Sequence, residues 1–207
     1  FDVVKLDDRR IAFFIGDVAG KGLPAAILMA CTQSFLNASL QHHDDPARAM
    51  EAVNRHLVAH APETKFVSLW VGVLDTRTGV LRYVDAGHGY WLIRDPDGTP
   101  REMVGRAGGV PLRVDDDAVY SSEQLKIEPG TRIVLYSDGV VEQVGSSEDG
   151  TAGDPFGMDR VLASLGPATS PEEDVQLLVR AVQRHARVEI LADDLTVGSI
   201  EFRTATT

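Results

Sequence analysis

The sequence predicts an α+β fold: two antiparallel β-sheets packed face to face as a sandwich, with helix pairs on the outside, four layers in the order αββα. Three observations lead there. Four separate stretches carry apolar residues at helical spacing. Around them lie short apolar runs joined by turns too brief for parallel crossovers. Finally, the 207 residues, 43% hydrophobic and 25% charged, show no compositional break, so the reading is one domain over residues 1–207 with enough chain to bury a substantial core.

The elements follow in order. Residues 2–6 and 10–16 read as strands around the turn "LDDRR". After Gly22 a helix begins, with Pro24 in its first turn where a missing N–H is harmless; its apolar face is expected along Leu28, Cys31, Phe35 and Ala38. Asp45-Pro46 supplies the cap and first position of a second helix, carrying Met50, Val53 and Leu57. From Phe66 the period changes. "FVSLWVGVLD", "GVLRYVDAG" and "YWLIRD" read as a meander with turns at "DTRTG" and "DPDGTP". Strands are expected near 118–127 and 131–137 around Pro129-Gly130, then a mobile surface loop over 143–154. Asp154-Pro155 is read as opening a short helix that Gly166 closes. Ser170-Pro171-Glu172-Glu173 matches a capping box before the stripe Val175, Leu178, Val179, Val182, Ala186. "LTVGSIEF" is the last strand.

Charge and composition exclude several functions. With 20 Lys+Arg against 31 Asp+Glu the formal charge is −11, a field opposed to binding a phosphate backbone, so no nucleic acid partner is expected. No uninterrupted apolar run approaches the roughly 20 residues of a membrane span, and "FDVVKLDDRR" lacks the order of a signal peptide. Membrane insertion is therefore not expected, and a cytoplasmic location is the simplest reading. The one cysteine, Cys31, rules out an internal disulfide framework and is read as a packed thiol.

Three acidic positions share one setting. Asp17 ends "IAFFIG", Asp138 ends "RIVLYS", and Asp193-Asp194 precedes "LTVGSI". Carboxylates at the ends of buried segments are costly when gathered unless a cation balances them. Hard oxygen donors of this kind suit Mg²⁺ or Mn²⁺, and the glycines after Asp17 and Asp138 let the backbone turn tightly beside an ion. The alternative is that each is an ordinary turn or cap aspartate. Spacing alone leaves both open.

"GDVAGKGLPAAILMA" resembles the signature of bacterial metal-dependent protein phosphatases of the SpoIIE and RsbU type, within the type 2C serine/threonine phosphatase superfamily. The likeness continues through "FVSLWVGVLDTRTGVLRYVDAGHGYWLI", "GGVPLRV", "LKIEPGTRIVLYSDGVVEQ", "FGMDRV" and "DDLTVGSIEF". The resemblance implies a type 2C β-sandwich with two Mn²⁺ or Mg²⁺ ions. Asp17 would bridge them, the Val18 carbonyl would bind one, Asp138 and Asp193 would hold the other, and Asp194 would assist. A water activated between the ions would attack phosphoserine or phosphothreonine with no protein nucleophile. It implies, as substrate, a phosphorylated anti-anti-sigma-type protein in a partner-switching pathway.

The chain departs from that pattern in three places. The Gly-Gly-Asp expected before Phe1-Asp2, source of one metal ligand, precedes the first residue, so the sequence is read as lacking its extreme N-terminal strand and any upstream regulatory domain. Arg113 stands where the family has glycine, and Gly89 where it has proline. Lys21 is either a holder of substrate phosphate or a solvated loop lysine. His88 is read as a backbone-bonded strand-end histidine over a proton donor, Asp115-Asp116-Asp117 as a solvated turn, His42-His43 as a helix end, Trp70 and Trp91 as sheet packing, and Arg113 as a surface arginine. Two competitors remain: a catalytically silent module with this fold that binds a partner protein, and a hydrolase of small phosphate esters. A homodimer through upstream or surface elements stays open.

Overall fold

The computed structural model of the chain describes residues 1–60, 65–102, 108–146, 152–166, 168–187, 191 and 193–203. Its elements are β1 (Asp2–Lys5), β2 (Arg10–Val18), α1 (Leu23–His42), α2 (Pro46–His60), β3 (Val67–Asp75), β4 (Val80–Ala86), β5 (Trp91–Arg94), β6 (Pro100–Glu102), β7 (Glu123–Lys126), β8 (Arg132–Tyr136), α3 (Asp138–Val141), β9 (Val144–Ser146), β10 (Ala152–Pro155), α4 (Gly157–Leu165), α5 (Pro171–Ala186) and β11 (Val197–Glu201). They fall into two units, Phe1–Gly89 with Gly105–Ile127, and Tyr90–Val104 with Glu128–Thr207. The fold is mixed α and β with antiparallel sheets, as the sequence predicts, and each larger sheet carries a helix pair.

The first unit holds a five-stranded sheet in the order β1-β2-β3-β4-β7, antiparallel throughout. Its centre is the β2–β3 pair, in register from Arg10 opposite Asp75 to Val18 opposite Val67. Ala12, Phe14, Val71, Val73 and Val84 pack with Leu28, Leu36 and Leu40 of α1 and Met50, Val53 and Leu57 of α2. The alternate strand positions Phe13, Ile15, Trp70 and Tyr83 are buried as well, so these strands read as near-continuous apolar runs. Gly72 makes room for the indole of Trp70: a Cβ there would lie 2.8 Å from its Cζ3.

The α2 start is as predicted, with Asp45 Oδ1 accepting from the Ala47 N–H at 3.0 Å and Pro46 in the first position. The face of α1 is not. Its buried residues are Ala25, Leu28, Thr32, Leu36, Ser39 and Leu40, while Cys31 and Ala38 are exposed. Cys31 is therefore not a packed thiol. The helix is apolar almost all round, so periodicity alone could not choose between stripes. By length and composition alone, α1 is also long and apolar enough to cross a membrane; the absence of an uninterrupted apolar run hid this, because Thr32, Gln33, Ser34, Asn37 and Ser39 interrupt the run without lowering its average much. Here its buried face lies on the sheet of its own unit.

The second unit holds a four-stranded antiparallel sheet in the order β11-β8-β5-β6 and the hairpin β9–β10. Leu92, Val134 and Tyr136 of the sheet pack with Val161 and Leu165 of α4 and Leu178 and Val182 of α5. Ser170 caps α5, accepting from the Glu173 N–H at 3.2 Å, and the Glu173 carboxylate reaches back to the Thr169 N–H at 2.7 Å. The stripe of α5 begins one residue early, with Asp174, followed by Leu178, Val182 and Ala186. Asp174 and Arg94 are fully buried and Arg132 nearly so; the carboxylate accepts from Arg94 Nη1 at 2.5 Å, Arg132 Nε at 2.7 Å and Ser199 Oγ at 2.8 Å.

Three boundary expectations need correction. The stretch 143–154 is not all loop: it contributes the paired β9 and β10, with residues 147–151 outside the described ones. Asp154-Pro155 closes β10 instead of opening a helix, and α4 starts at Gly157. The strand expected over 118–127 contracts to β7, the part that pairs with Val80–Tyr83 of β4.

Candidate metal centre

In the first unit β2 delivers Asp17 to its end, opposite Ser68 of β3, with Val18 opposite Val67. Gly16 precedes it because a Cβ there would lie 2.8 Å from the Ser68 carbonyl oxygen. The Ala19 N–H still bonds the Phe66 carbonyl at 3.0 Å, and Gly20 (φ 103°) and Gly22 (φ 83°) then reverse the chain into α1. That is why the turn is glycine-rich: both positions need left-handed backbone. Asp17 and Lys21 are exposed, and the Val18 side chain is buried. Lys65, which the sequence did not single out, reaches this turn, its Nζ donating to the Ala19 carbonyl at 3.3 Å.

Beside Ser68 lies the "DAGHG" corner. The buried Asp85 carboxylate accepts from the N–H groups of His88 at 2.7 Å and Gly89 at 3.0 Å. Burial pushes its pKa up, opposed by those hydrogen bonds. The buried His88 ring places Nδ1 3.5 Å from Ser68 Oγ. His88 follows the end of β4; its own N–H is held by Asp85, and its ring meets Ser68, the cross-strand neighbour of Asp17. Arg113 is half-buried with φ 70°, its Nη1 donating to the Lys65 carbonyl at 2.7 Å. It occupies a left-handed position that favours glycine and is not a free-standing surface arginine.

In the second unit, register joins the other acids. β8 and β11 pair from Arg132 opposite Glu201 to Tyr136 opposite Val197, and the pairing continues as the Ser137 N–H donates to the Thr196 carbonyl at 3.0 Å. Ser137 Oγ donates to the Asp194 carbonyl at 3.2 Å and accepts from the Thr196 N–H at 3.0 Å. Next in the chain, Gly139 packs so tightly on the Asp193–Asp194 segment that a Cβ would collide with the Asp194 carbonyl oxygen and lie 3.7 Å from the Asp193 Cβ. Asp138, Asp193 and Asp194 thus share one end of the sheet. The N–H of Gly139 fixes Asp138 Oδ1 at 2.8 Å, and that of Asp194 fixes Asp193 Oδ1 at 2.9 Å. Burial, then the charges of Glu142 and Asp138, raise the pKa of Tyr90.

Asp17, Val18 and Lys21 therefore belong to one unit and Asp138, Asp193 and Asp194 to the other. Asp138 is half-buried, and the other three aspartates are exposed. Among the described residues no group of three or more His, Cys, Asp and Glu side chains stands ready to hold a metal ion. The donors nonetheless fit a hard divalent cation: all are oxygens, and Gly139 holds two acid-bearing segments side by side with no side chain between them. The contributions of Lys65 and of Gly139 depend on partners 46 and more residues away, which no local motif encodes.

The phosphoserine phosphatase RsbU of Bacillus subtilis is 28% identical over 138 residues, which is 66% of this chain and 40% of that protein. The chain spans 35–40% of the length of the curated relatives it matches. Among solved structures, the RsbU and RsbW domains of a Mycobacterium tuberculosis protein superpose with TM-score 0.80 at 24% identity, covering 100% of this chain and 55% of that one. RsbX in complex with magnesium superposes with TM-score 0.64 at 15% identity, covering 94% and 82%. Likeness at these identities establishes the fold, a PP2C-type phosphatase fold. Residues 7–203 match the family described as Stage II sporulation protein E, SpoIIE, and the chain is a PP2C-type phosphatase domain of that family.

Proposed function

We propose that the 207 residues act as one catalytic domain, a Mn²⁺- or Mg²⁺-dependent protein serine/threonine phosphatase. By the family resemblance, Asp17, the Val18 carbonyl, Asp138, Asp193 and Asp194 are the groups that would hold two divalent ions. The single observation that carries this is Gly139 packed on the Asp194 carbonyl, which gathers Asp138 and Asp193 at the end of β8 and β11. Divalent ions bound to such oxygens supply Lewis acidity toward a phosphoryl group and lower the pKa of water. The chain's own residues do the positioning. Backbone N–H groups pin one oxygen of Asp138 and one of Asp193, which fixes both carboxylate planes before any ion arrives. The Gly20 and Gly22 turn presents Lys21 at the mouth of the same strand end as Asp17, where an ammonium would meet substrate phosphate.

By likeness to RsbU, a phosphoserine phosphatase, the substrate is a phosphorylated regulatory protein of the anti-anti-sigma type, in the cytoplasm. The test is Mn²⁺-dependent phosphate release from a phosphoserine protein and from an aryl phosphate, measured on the full-length protein. Activity that needs the metal and falls to background in Asp17→Asn and in Asp138→Asn supports the reading. Equal turnover in both variants sinks it. Preference for the small ester would point to a small-molecule hydrolase instead. A second reading, a silent module that binds a partner protein, is favoured by the lack of a three-ligand group among the described residues; partner binding with no metal-dependent turnover would establish it.

A further inference from the structure

We infer that the recess at the C-terminal end of α5 is a binding site for a compact small ligand bearing two or more linked phosphates. The recess, about 410 Å³, is lined by Arg184, His185 and Arg187 of the α5 end, Arg160 of α4, and Gly145 and Gly153 of the hairpin β9–β10. A neighbouring concavity of about 310 Å³ shares Arg184 and adds Arg180 and Gln183. None of these residues is a candidate metal holder. In a chain of formal charge −11, four arginines gathered on one surface need a reason. The helix dipole accounts for cations in the last turn of α5, and only there. Arg160 stands in the first turn of α4, the end where the dipole opposes a cation. It is held there by Nη1 donating to the Pro155 and Phe156 carbonyls, both at 2.9 Å.

Elsewhere Arg10, Arg48, Arg94, Arg101, Arg132 and Arg203 are ion-paired, while Arg9, Arg55, Arg77 and Arg82 stand exposed and apart from one another along the chain; what sets the recess apart is the clustering. Among the described residues, no carboxylate lies within ion-pair distance of Arg160, Arg180, Arg184 or Arg187. Asp154 lines the recess too, one negative charge against the three of Arg160, Arg184 and Arg187, and its backbone carbonyl is taken by His185 Nε2 at 2.9 Å. The hairpin side of the lining is glycine backbone, and Gly145 lets it close on the α5 end: a Cβ there would sit 2.9 Å from His185 Cε1. Guanidinium forks match phosphate oxygens bidentately. Two adjoining concavities with a shared arginine suit a row of phosphates better than a single anion.

The test is calorimetric titration of metal-free protein with inorganic phosphate, pyrophosphate and tripolyphosphate. One-to-one binding is expected, tightening along that series and weakening with salt. Arg184→Gln and Arg160→Gln should each weaken tripolyphosphate binding by about tenfold or more, with the unfolding midpoint of Arg184→Gln unchanged because that side chain is exposed. Arg55→Gln, an exposed arginine of the other unit, should change nothing, and Asp138→Asn should bind as wild type. No saturable heat up to about 5 mM ligand, wild-type affinity in Arg184→Gln, or equal competition by an oligoglutamate peptide would each overturn the proposal. Lost binding in Asp138→Asn would overturn it as well, by moving the ligand to the acidic strand ends.

Discussion

Asp174 has none of its surface exposed, and its carboxylate is paired there with the guanidinium groups of Arg94 and Arg132 and bonded by Ser199 Oγ. Removing it leaves two buried cations facing each other. Asp174→Ala should cost about 3–5 kcal/mol, read from urea unfolding; a loss below about 1 kcal/mol would mean the site rehydrates and behaves like a surface pair. This triad was not legible in the sequence. In the sequence Asp174 only continues the acids Glu172 and Glu173 of a helix start, and its partners lie 80 and 42 residues away. Asp85 yields a pH prediction. Its folded pKa is raised above the ordinary 3.8, chiefly by burial, so its contribution to stability is full below that value and is lost as pH rises through the folded pKa. Asp85→Asn should therefore flatten the decline in stability above pH 3.8, because an amide does not ionise. Unfolding midpoints across that range, unchanged in slope by the substitution, would remove Asp85 as the cause.

Among the elements, the junction between β8 and α3 is the most constrained. Ser137 bonds Asp194 and Thr196 across to the start of β11, and Gly139 touches the Asp194 carbonyl. Gly139→Ala should force the two segments apart, destabilising by about 1–3 kcal/mol. On the proposed reading it should also lower metal-dependent hydrolysis more than the stability loss explains. A crystal structure of the variant with Asp138 and Asp193 unmoved would show that the glycine serves another purpose. Other elements were legible for local reasons. Asp45-Pro46 and Ser170-Pro171 marked helix starts because caps and prolines act within one turn. The buried face of α1 was not, since a helix apolar all round takes its orientation from the sheet beneath it. Nor was the β9–β10 hairpin, whose residues carry little that packs and pair only through backbone.

For the whole molecule, the chain passes between its two units three times, so neither unit is one continuous piece. The acidic strand ends were visible in the sequence as local patterns, but their distribution over two interleaved units was not, because it depends on where β5, β6 and β7 are placed. The sheet β11-β8-β5-β6 draws β5 and β6 from before residue 105 and the rest from after residue 127. A fragment of residues 128–207 would keep β8, α4, α5 and β11 yet lose β5, the neighbour that pairs with β8 from Trp91 opposite Leu135 to Arg94 opposite Arg132. It would also lose Arg94, leaving Asp174 with Arg132 alone. Backbone groups of a central strand and half of a buried ion triad would then have no partner, a penalty of several kcal/mol against a domain stability that is typically about 5–15 kcal/mol. The fragment is expected to show no cooperative unfolding by circular dichroism on its own, and to regain it when mixed with residues 1–127. A sharp unfolding transition in the isolated fragment would mean that α4 and α5 form a core with β8 and β11 without β5, and that the interleaving is a feature of connectivity with no bearing on stability.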